Sequence, residues 1–374
     1  MLESIFTFKA IIEFFLKVSV LFSLVIVVNG ASTVGLVDLV TRPFDKFKRA
    51  SRVLVCWYVV SFLLTGIIPN VAAASILLPL GFYYAKSRNL NINAMLLTIA
   101  FGTSVGNDLS PYGGGMNFVT WQLLSAKVGY TLDLSVWFRL FWPTTISAII
   151  LTGLILWFTV LKRNNDYLTP ILRPFNYRNW RFIVITIISA VILFNTLTDG
   201  SWQLSVLCAG LTVLVCKFDK GLFKTLPWKV LYLWSFAFFF GKFVGIYLKA
   251  HPELISYFNI DYSLLTVTGL VSVLSIITNL MPNGAVTAIA TPFALGLPGE
   301  QSIWLYVLIM KALSFGLMTI CADVAVTLCC SFGLPQRQLF KIGTPVVIIN
   351  SIFIIIYFYL TRNVSWLYYI HGLN

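Results

Sequence analysis

A short motif that interrupts apolar sequence occurs twice in this chain. The first copy is Pro69-Asn70-Val71-Ala72 and the second is Pro282-Asn283-Gly284-Ala285, and each starts ten residues before another proline. A proline followed by asparagine is a helix-breaking signal inside a hydrophobic stretch. Two such breaks with the same spacing predict a chain that is built from two related halves.

An aspartate follows each motif, after a Phe-Gly pair. Phe101-Gly102 leads to Asp108, and Phe315-Gly316 leads to Asp323. Of the thirteen acidic residues, these are the only two that lie deep in predicted spans. A carboxylate inside a membrane is costly unless it is protonated, paired or on an ion path, so both aspartates are candidates for handling a proton or a cation. The alternative is that each of them caps a broken helix.

The composition identifies the surroundings of this chain as a lipid bilayer. Hydrophobic residues make up 59% of the sequence and charged residues only 10%, which excludes a soluble globular protein. The apolar stretches lack the alternation of strands and are about as long as a bilayer-spanning helix, roughly 20 residues. The sequence therefore predicts an all-α polytopic membrane protein with several spans in the plasma membrane. The six cysteines lie almost entirely within these stretches, without metal-ligand spacing.

The net charge of +13 is distributed in a way that sets membrane orientation. Lys and Arg residues cluster in alternate loops, and loops of this kind face the cytoplasm. The intervening loops contain Lys127 as their only basic residue. We therefore expect no nucleic-acid partner, and we place the basic segments on the cytoplasmic side: 42–52, 86–88, 162–181, 217–229 and 337–341.

The alternation of basic loops limits how the motif segments cross the membrane. Basic loops flank residues 53–85 on both sides, so this segment enters and leaves on the same face. Its two arms of about 16 residues are roughly 24 Å long, which is too short for full spans. We predict a re-entrant hairpin with its tip at Pro69-Asn70. Residues 263–297, flanked by loops without Lys or Arg, predict a hairpin of opposite orientation with its tip at Pro282-Asn283.

The chain then divides into an interfacial helix, two inverted repeats and a linker. A broken transmembrane helix follows each hairpin, because glycine, proline and polar residues interrupt 92–126 in the first repeat and, more weakly, 303–330 in the second. The predicted boundaries are 1–17 for the interfacial helix, 18–161 for the first repeat, 162–181 for the cytoplasmic linker and 182–374 for the second repeat.

Together these features resemble the ion transporter superfamily. Its members include divalent anion/sodium symporters, citrate transporters, arsenite exporters and NhaD-type sodium/proton antiporters. The resemblance rests on the paired hairpins with asparagine at their tips and on broken helices such as Gly-Asn-Asp-Leu-Ser-Pro-Tyr-Gly-Gly at 106–114. It covers residues 50–126 and 230–345. It implies an elevator-type transporter, in which hairpins and broken helices carry substrate across a static scaffold, and it implies a homodimer.

The chain departs from this family in two ways. The divalent-anion branch has Ser-Asn-Thr at each tip, whereas this chain has Pro69-Asn70-Val71 and Pro282-Asn283-Gly284, so both hydroxyl groups are missing. Residues 102–117 and 276–282 are more similar to the arsenite and NhaD branches. In addition, a single span, at 18–40, precedes the first hairpin, where the family usually has more. The branch therefore stays open.

The expected substrate site lies where the N-termini of half-helices meet near the midplane. Unpaired N–H groups and positive helix dipoles attract an anion, and asparagine offers both a donor and an acceptor. The asparagines could equally cap the helices that follow them. The candidate substrate-binding residues are Asn70, Val71, Gly113, Gly114, Asn117, Asn283, Gly284 and Lys242.

Residues around the two aspartates are the candidates for coupling a cation. Freed carbonyls and side-chain oxygens beside each broken helix suit a proton or a sodium ion. These candidates are Thr103, Ser104, Asn107, Asp108, Thr319 and Asp323. We expect no cofactor other than such a coupling ion, and no metal centre.

Two lysines lie inside apolar segments. Lys242 has no acidic neighbour in the sequence and could either counter an anionic substrate or pair structurally with Asp108 or Asp323. Lys311 is nearer the end of a predicted span, so we expect its amine to extend towards the membrane surface.

Three classes of function remain. The leading one is a secondary active transporter of a small anion or oxyanion, coupled to protons or sodium through the aspartates. The second is a cation/proton antiporter, in which these acids bind the transported ion directly. The third is a membrane enzyme or a transport-dead scaffold. The sequence shows no ATP-binding loop, and its two histidines, His251 and His371, lie at predicted outer ends, so we do not expect an enzyme.

Overall fold

The computed structural model is helical in the part of the chain that it describes. That part comprises residues 8–114, 117, 121, 125, 134–164, 166–168, 179–197, 201–217, 223, 243, 247, 251, 263–280, 283, 286, 287, 290, 301–319 and 322–361. Its helices are α1 (Phe8–Thr33), α2 (Leu36–Thr41), α3 (Ala50–Thr65), α4 (Asn70–Ser87), α5 (Ile92–Gly106), α6 (Leu134–Leu156), α7 (Trp180–Leu197), α8 (Trp202–Val215), α9 (Leu264–Leu280), α10 (Gln301–Leu313), α11 (Val324–Ser331) and α12 (Gln336–Thr361). Shorter helical segments are the 3-10 turns Arg42–Lys46 and Asn107–Leu109 and the π turn Trp157–Leu161.

Several of these helices have the length and composition of membrane spans. Leu134–Leu161 and Gln336–Thr361 are each long and apolar enough to cross a bilayer. Four shorter apolar helices accompany them, at Ala50–Thr65, Trp180–Asn195, Trp202–Val215 and Leu264–Leu280. The predicted all-α membrane protein is thus confirmed at the level of helix type, whereas the inversion of the two repeats stays a prediction.

The first predicted span, at 18–40, is bent in the structure. The second part of α1, Phe22–Thr33, and the segment Leu36–Lys46, which starts with α2, meet at an angle of 86°. The bend follows from Gly35, whose φ of 84° lies in the left-handed region that side chains other than glycine rarely adopt. Helix α1 is otherwise continuous from Phe8 to Thr33, so no helix end marks the predicted boundary at residue 17. Residues 1–7 lie outside the described part.

The other helices break at the repeated sequence features. Helix α3 ends at Thr65 and α4 starts at Asn70, on either side of the first motif. Helix α5 ends at Gly106 and passes into a 3-10 turn at Asp108. In the second half, helix α10 ends at Leu313 and α11 starts after Asp323, so the chain is interrupted there as well. The described residues therefore place both aspartates at helix interruptions.

Apolar side chains gather into two main cores. The larger core unites α3, α4, α5, α6, α9, α10, α11 and α12. The smaller core unites α1, α2, α7 and α8, through residues such as Leu24, Ile188 and Cys208. Helix α4 lies at the boundary: its Leu77 belongs to the larger core, whereas Tyr83 packs against the smaller core. The two helix groups therefore meet along α4.

The region after α6 is fixed to the first basic loop. Arg49 and Tyr167 form an isolated antiparallel bridge. The amide of Leu168 donates to the carbonyl of Lys48 over 2.9 Å, and the amide of Ala50 donates to the carbonyl of Asp166 over 3.0 Å. Part of the predicted linker at 162–181 is thus bound to the chain segment that precedes α3. The remaining residues of that linker include positions outside the described part.

Candidate functional site

The first motif is attached to the break in helix α5 through its backbone. The amide N–H of Asn70, the first residue of α4, donates to the carbonyl of Gly113 over 2.6 Å. Gly113 itself is tightly enclosed: a Cβ atom there would lie 1.8 Å from the carbonyl oxygen of Asn107 and 2.6 Å from that of Thr65. A glycine is therefore required at this position, because no side chain fits between the two breaks.

The second motif repeats this attachment in the other half. The amide N–H of Asn283 donates to the carbonyl of Ala322 over 3.1 Å, beside the break before α11. Its side-chain oxygen accepts a hydrogen bond of 2.5 Å from Thr278, whose hydroxyl also donates to the carbonyl of Leu313. Each motif asparagine thus binds a backbone carbonyl of the interrupted helix in its own half.

Asp323 links the two halves. Its Oδ1 accepts a hydrogen bond of 3.3 Å from Nδ2 of Asn70, and its Oδ2 accepts one of 2.5 Å from the hydroxyl of Ser104. Asp323 also caps α11, since its side chain accepts from the amide of Ala325. The predicted capping role and the contact with the motif therefore coexist in this residue. The acid of the second half is held by an amide and a hydroxyl of the first half.

Asp108 also links the two halves, but here the acid belongs to the first half and its partner to the second. Its Oδ2 lies 2.8 Å from Nζ of Lys311, a residue of α10. The same ammonium group donates to the hydroxyl of Thr145, and it lies 5.5 Å from the centre of the Phe141 ring. Lys311 is 1% exposed. The expectation that its amine extends towards the membrane surface is therefore wrong, because a buried carboxylate offers the ammonium a closer partner.

Amide groups surround the remaining part of the first break. Asn117 donates from Nδ2 to the carbonyl of Asn107 over 2.8 Å. Gly114 is less tightly enclosed than Gly113, since a Cβ atom at Gly114 would make an ordinary contact of 3.9 Å with Nδ2 of Asn107. Asn107 and Asn117 are both buried. Together with Asn70, these amides provide uncharged donors and acceptors beside the tip of the first motif.

The two predicted threonines have different positions. Thr103 donates to the carbonyls of Ile99 and Ala100 in its own helix, so its hydroxyl supports α5. Thr319 donates to the carbonyl of Asn279. The hydroxyl of Thr103 is thereby committed to backbone carbonyls of α5, and that of Thr319 contacts the backbone of α9.

Sequence reasoning missed Asn279 and Thr278. Asn279 donates to the carbonyl of Phe315 over 3.1 Å and accepts from the amide of Met318 over 2.7 Å. These two hydrogen bonds attach the backbone of the second helix interruption to α9. The available signal was the pair of polar residues just before the second motif, inside an otherwise apolar helix. Of the other predicted site residues, Val71 packs against the larger core. Lys242 and Gly284 lie outside the described residues.

The arrangement combines two opposite kinds of chemistry. Uncharged donors and the N-terminus of α4 suit an anion. The carboxylate of Asp323, with the hydroxyl of Ser104 beside it, suits a proton or a hard cation. No group of three or more metal-ligating side chains occurs in the described part of the chain. The site therefore has the donors for an anion and an acid for a small cation within one set of hydrogen bonds.

Comparison with known protein families identifies the family to which this chain belongs. The model of the citrate transporter family matches residues 3–312, which contain the first motif, the second motif and Asp108. No curated protein gives a significant match. The matched region covers most of the chain and includes the first helix interruption, whereas the second interruption, with Asp323, lies beyond its end. This protein belongs to the citrate transporter family, within the ion transporter superfamily.

Proposed function

We propose that this protein moves citrate or a related small anion across the membrane by an elevator mechanism, coupled to protons or sodium. Its family implies a secondary transporter of citrate or related anions. The single observation that best supports the finer statement is the hydrogen bond from Asn70 to Asp323, which joins the tip of the first motif to the acid of the other half.

Anion binding is assigned to the N-terminus of α4 and the amides around it. Asn70 stands at the first position of that helix, where backbone N–H groups and the helix dipole favour negative charge. Asn107 and Asn117 add amide groups beside Gly114, where a Cβ atom would meet their Nδ2 atoms at 3.9 and 4.0 Å. A carboxylate group of citrate can accept hydrogen bonds from the N–H groups at this helix end and from Nδ2 of Asn107 without a fixed positive charge.

Coupling is assigned to Asp323. An ionised carboxylate beside Asn70 repels a bound anion, and a proton or cation on the carboxylate removes this repulsion. Ser104 is a suitable second partner, because a hydroxyl group can donate to the ionised carboxylate and accept from the protonated one. Anion binding and cation binding therefore favour each other at this position, which is the requirement for symport.

The elevator part of the proposal is supported by the two hydrophobic cores. The larger core contains the described helices on either side of both motifs and of the breaks at Asp108 and Asp323. The smaller core of α1, α2, α7 and α8 would serve as the scaffold. Tyr83 and Asn29 form a hydrogen bond of 3.3 Å between α4 and α1, so this interface contains a polar contact that a sliding movement would exchange. A static scaffold of this kind fits rigid-body transport.

Purified protein in liposomes tests the proposal. Radiolabelled citrate should accumulate when an inward proton or sodium gradient is imposed, and unlabelled di- and tricarboxylates should compete while sulfate and phosphate should compete less. Arsenite and other oxyanions belong in the same panel, because the sequence resembles more than one branch. Exchange of sodium for protons that is independent of every anion would instead establish the cation/proton antiporter.

A further inference from the structure

The ammonium group of Lys311 occupies a small polar site inside the larger core. It lies 2.8 Å from Oδ2 of Asp108 and contacts the hydroxyl of Thr145. The face of the Phe141 ring lies 5.5 Å away and adds a further contact that favours a cation. Thr145 and Phe141 belong to α6, Lys311 to α10, and Asp108 to the turn after α5. Three segments thus contribute to the surroundings of one positive charge.

Two buried side-chain oxygens, on Asp108 and on the residue that precedes it in the chain, have no hydrogen-bond partner among the described residues. They are Oδ1 of Asp108 and Oδ1 of its neighbour Asn107. Both residues are buried, at 4% and 3% exposure. The backbone of Asp108 is held by Trp137, whose Nε1 donates to its carbonyl over 3.1 Å. An acceptor that is buried without a donor is costly, and a cation is the kind of ligand that satisfies it.

The donor set of this site is that of a small hard cation. The carboxylate of Asp108 and the hydroxyl of Thr145 offer the oxygen ligands that such ions prefer. Asp108 supplies the one negative charge, which matches a monovalent ion. The chain fills the position with an ammonium group on a flexible stem that comes from the other half of the molecule.

We propose that Lys311 fills a monovalent-cation site with its own ammonium group. Asp108, in the first half, then has the ammonium group of Lys311 as a permanent positive partner, at a position where an exchangeable cation would otherwise bind. Within the proposed function, on which this assignment of roles rests, Asp323 is left as the coupling residue, and Asp108 contributes a fixed ion pair. Removal of the ammonium group should open the site to sodium.

Binding, measured without transport, tests this proposal. The full-length protein in detergent is unfolded by heat in sodium chloride and in choline chloride of equal ionic strength, as wild type, as Lys311→Ala and as Asp108→Asn/Lys311→Ala. The unfolding midpoint of Lys311→Ala should rise in sodium by about 2 °C or more beyond any rise in the double variant, because a ligand that binds only the native state stabilises it. The double variant keeps the cavity but lacks the carboxylate.

The comparison of the two variants gives a clear result in each direction. An equal rise of the unfolding midpoint in sodium for both variants would overturn the proposal. So would a Lys311→Ala protein that is already unfolded in both salts while the double variant is folded. If Lys311→Ala yields no protein in either salt, Lys311→Gln replaces it, and the same sodium-dependent rise over Asp108→Asn/Lys311→Gln is expected. A rise of the wild-type unfolding midpoint in sodium would report on binding at Asp323, and it is subtracted from the rise of each variant. Failure of citrate transport would leave this test unaffected.

Discussion

Asn70 and Asp323 are joined by a hydrogen bond of 3.3 Å although they are 253 positions apart in the sequence. The donor is the amide of the first motif, and the acceptor is the acid that follows the second motif. Ser104 holds the other carboxylate oxygen over 2.5 Å. A change of charge at Asp323 therefore acts directly on the helix end that we assign to anion binding.

The first prediction concerns the coupling role of Asp323. Asp323→Asn keeps the shape of the side chain but removes its charge, so uptake driven by an ion gradient should fall at least about tenfold, which corresponds to about 1.4 kcal/mol. The measurement is initial uptake into liposomes at equal protein content. Asp166→Asn, at an exposed aspartate near the Arg49–Tyr167 bridge, is the control and should retain uptake. Wild-type uptake by a folded Asp323→Asn protein would exclude the coupling role.

The second prediction separates ligand binding from a structural role at Asn70. Asn70→Ala removes an amide that we assign to the anion site, and we expect the apparent KM for citrate to rise at least about tenfold, since each lost hydrogen bond to a charged group costs about 1.5–3 kcal/mol. Asn91→Ala is the matched control, because the Asn91 side chain caps α5 by accepting from Ala94. The control should lower thermal stability and leave the KM unchanged. Equal effects of the two changes would limit Asn70 to a structural role.

The third prediction uses two adjacent glycines. A Cβ atom at Gly113 would lie 1.8 Å from the carbonyl oxygen of Asn107, whereas one at Gly114 has no neighbour closer than 3.9 Å. Gly113→Ala should therefore destabilise the protein by at least about 3 kcal/mol through overpacking, and Gly114→Ala should leave the fold intact. Thermal unfolding and gel filtration in detergent measure the difference. A Gly113→Ala protein as stable as Gly114→Ala would show that Gly113 does not lie tightly between the backbones of Thr65 and Asn107.

The fourth prediction concerns the ion pair of Asp108 with Lys311. Asp108→Asn leaves a buried ammonium group without its counter-charge, which should lower the free energy of unfolding by about 3–5 kcal/mol. Asp108→Asn/Lys311→Met removes both charges and keeps the apolar stem, so most of the lost stability should return. The two variants are compared by their unfolding midpoints. If the double variant is as unstable as Asp108→Asn alone, the two residues do not act as a pair.

The positions of the helix interruptions follow from local sequence. Proline and glycine act on their own helix, so the ends of α3 and α5 and the starts of α4 and α11 could be predicted near the motifs. The same applies to the importance of Asp108 and Asp323, since an acid in an apolar segment is recognisable without a structure. The bend at Gly35 was missed, because an isolated glycine in a helical pattern does not specify a positive φ.

The contacts between the halves do not follow from local sequence. Lys311 and Asp108 are 203 positions apart, and nothing near Lys311 in the chain shows whether its amine is paired or extends to the membrane surface. Likewise, the contact of Asn70 with the acid of the other half depends on how two distant helices pack. Thr278 and Asn279 had a signal in their polarity, but their role of binding the second break became evident only from the packing of α9.

Accumulation of citrate against its own gradient is the measurement that tests the account most directly. Liposomes that contain wild-type or Asp323→Asn protein are loaded with a low citrate concentration, and an inward proton or sodium gradient is then imposed. We predict that the wild type concentrates citrate until an ionophore collapses the gradient, and that Asp323→Asn only equilibrates it. Ion exchange by the wild type that proceeds unchanged without citrate or any other anion would contradict the account.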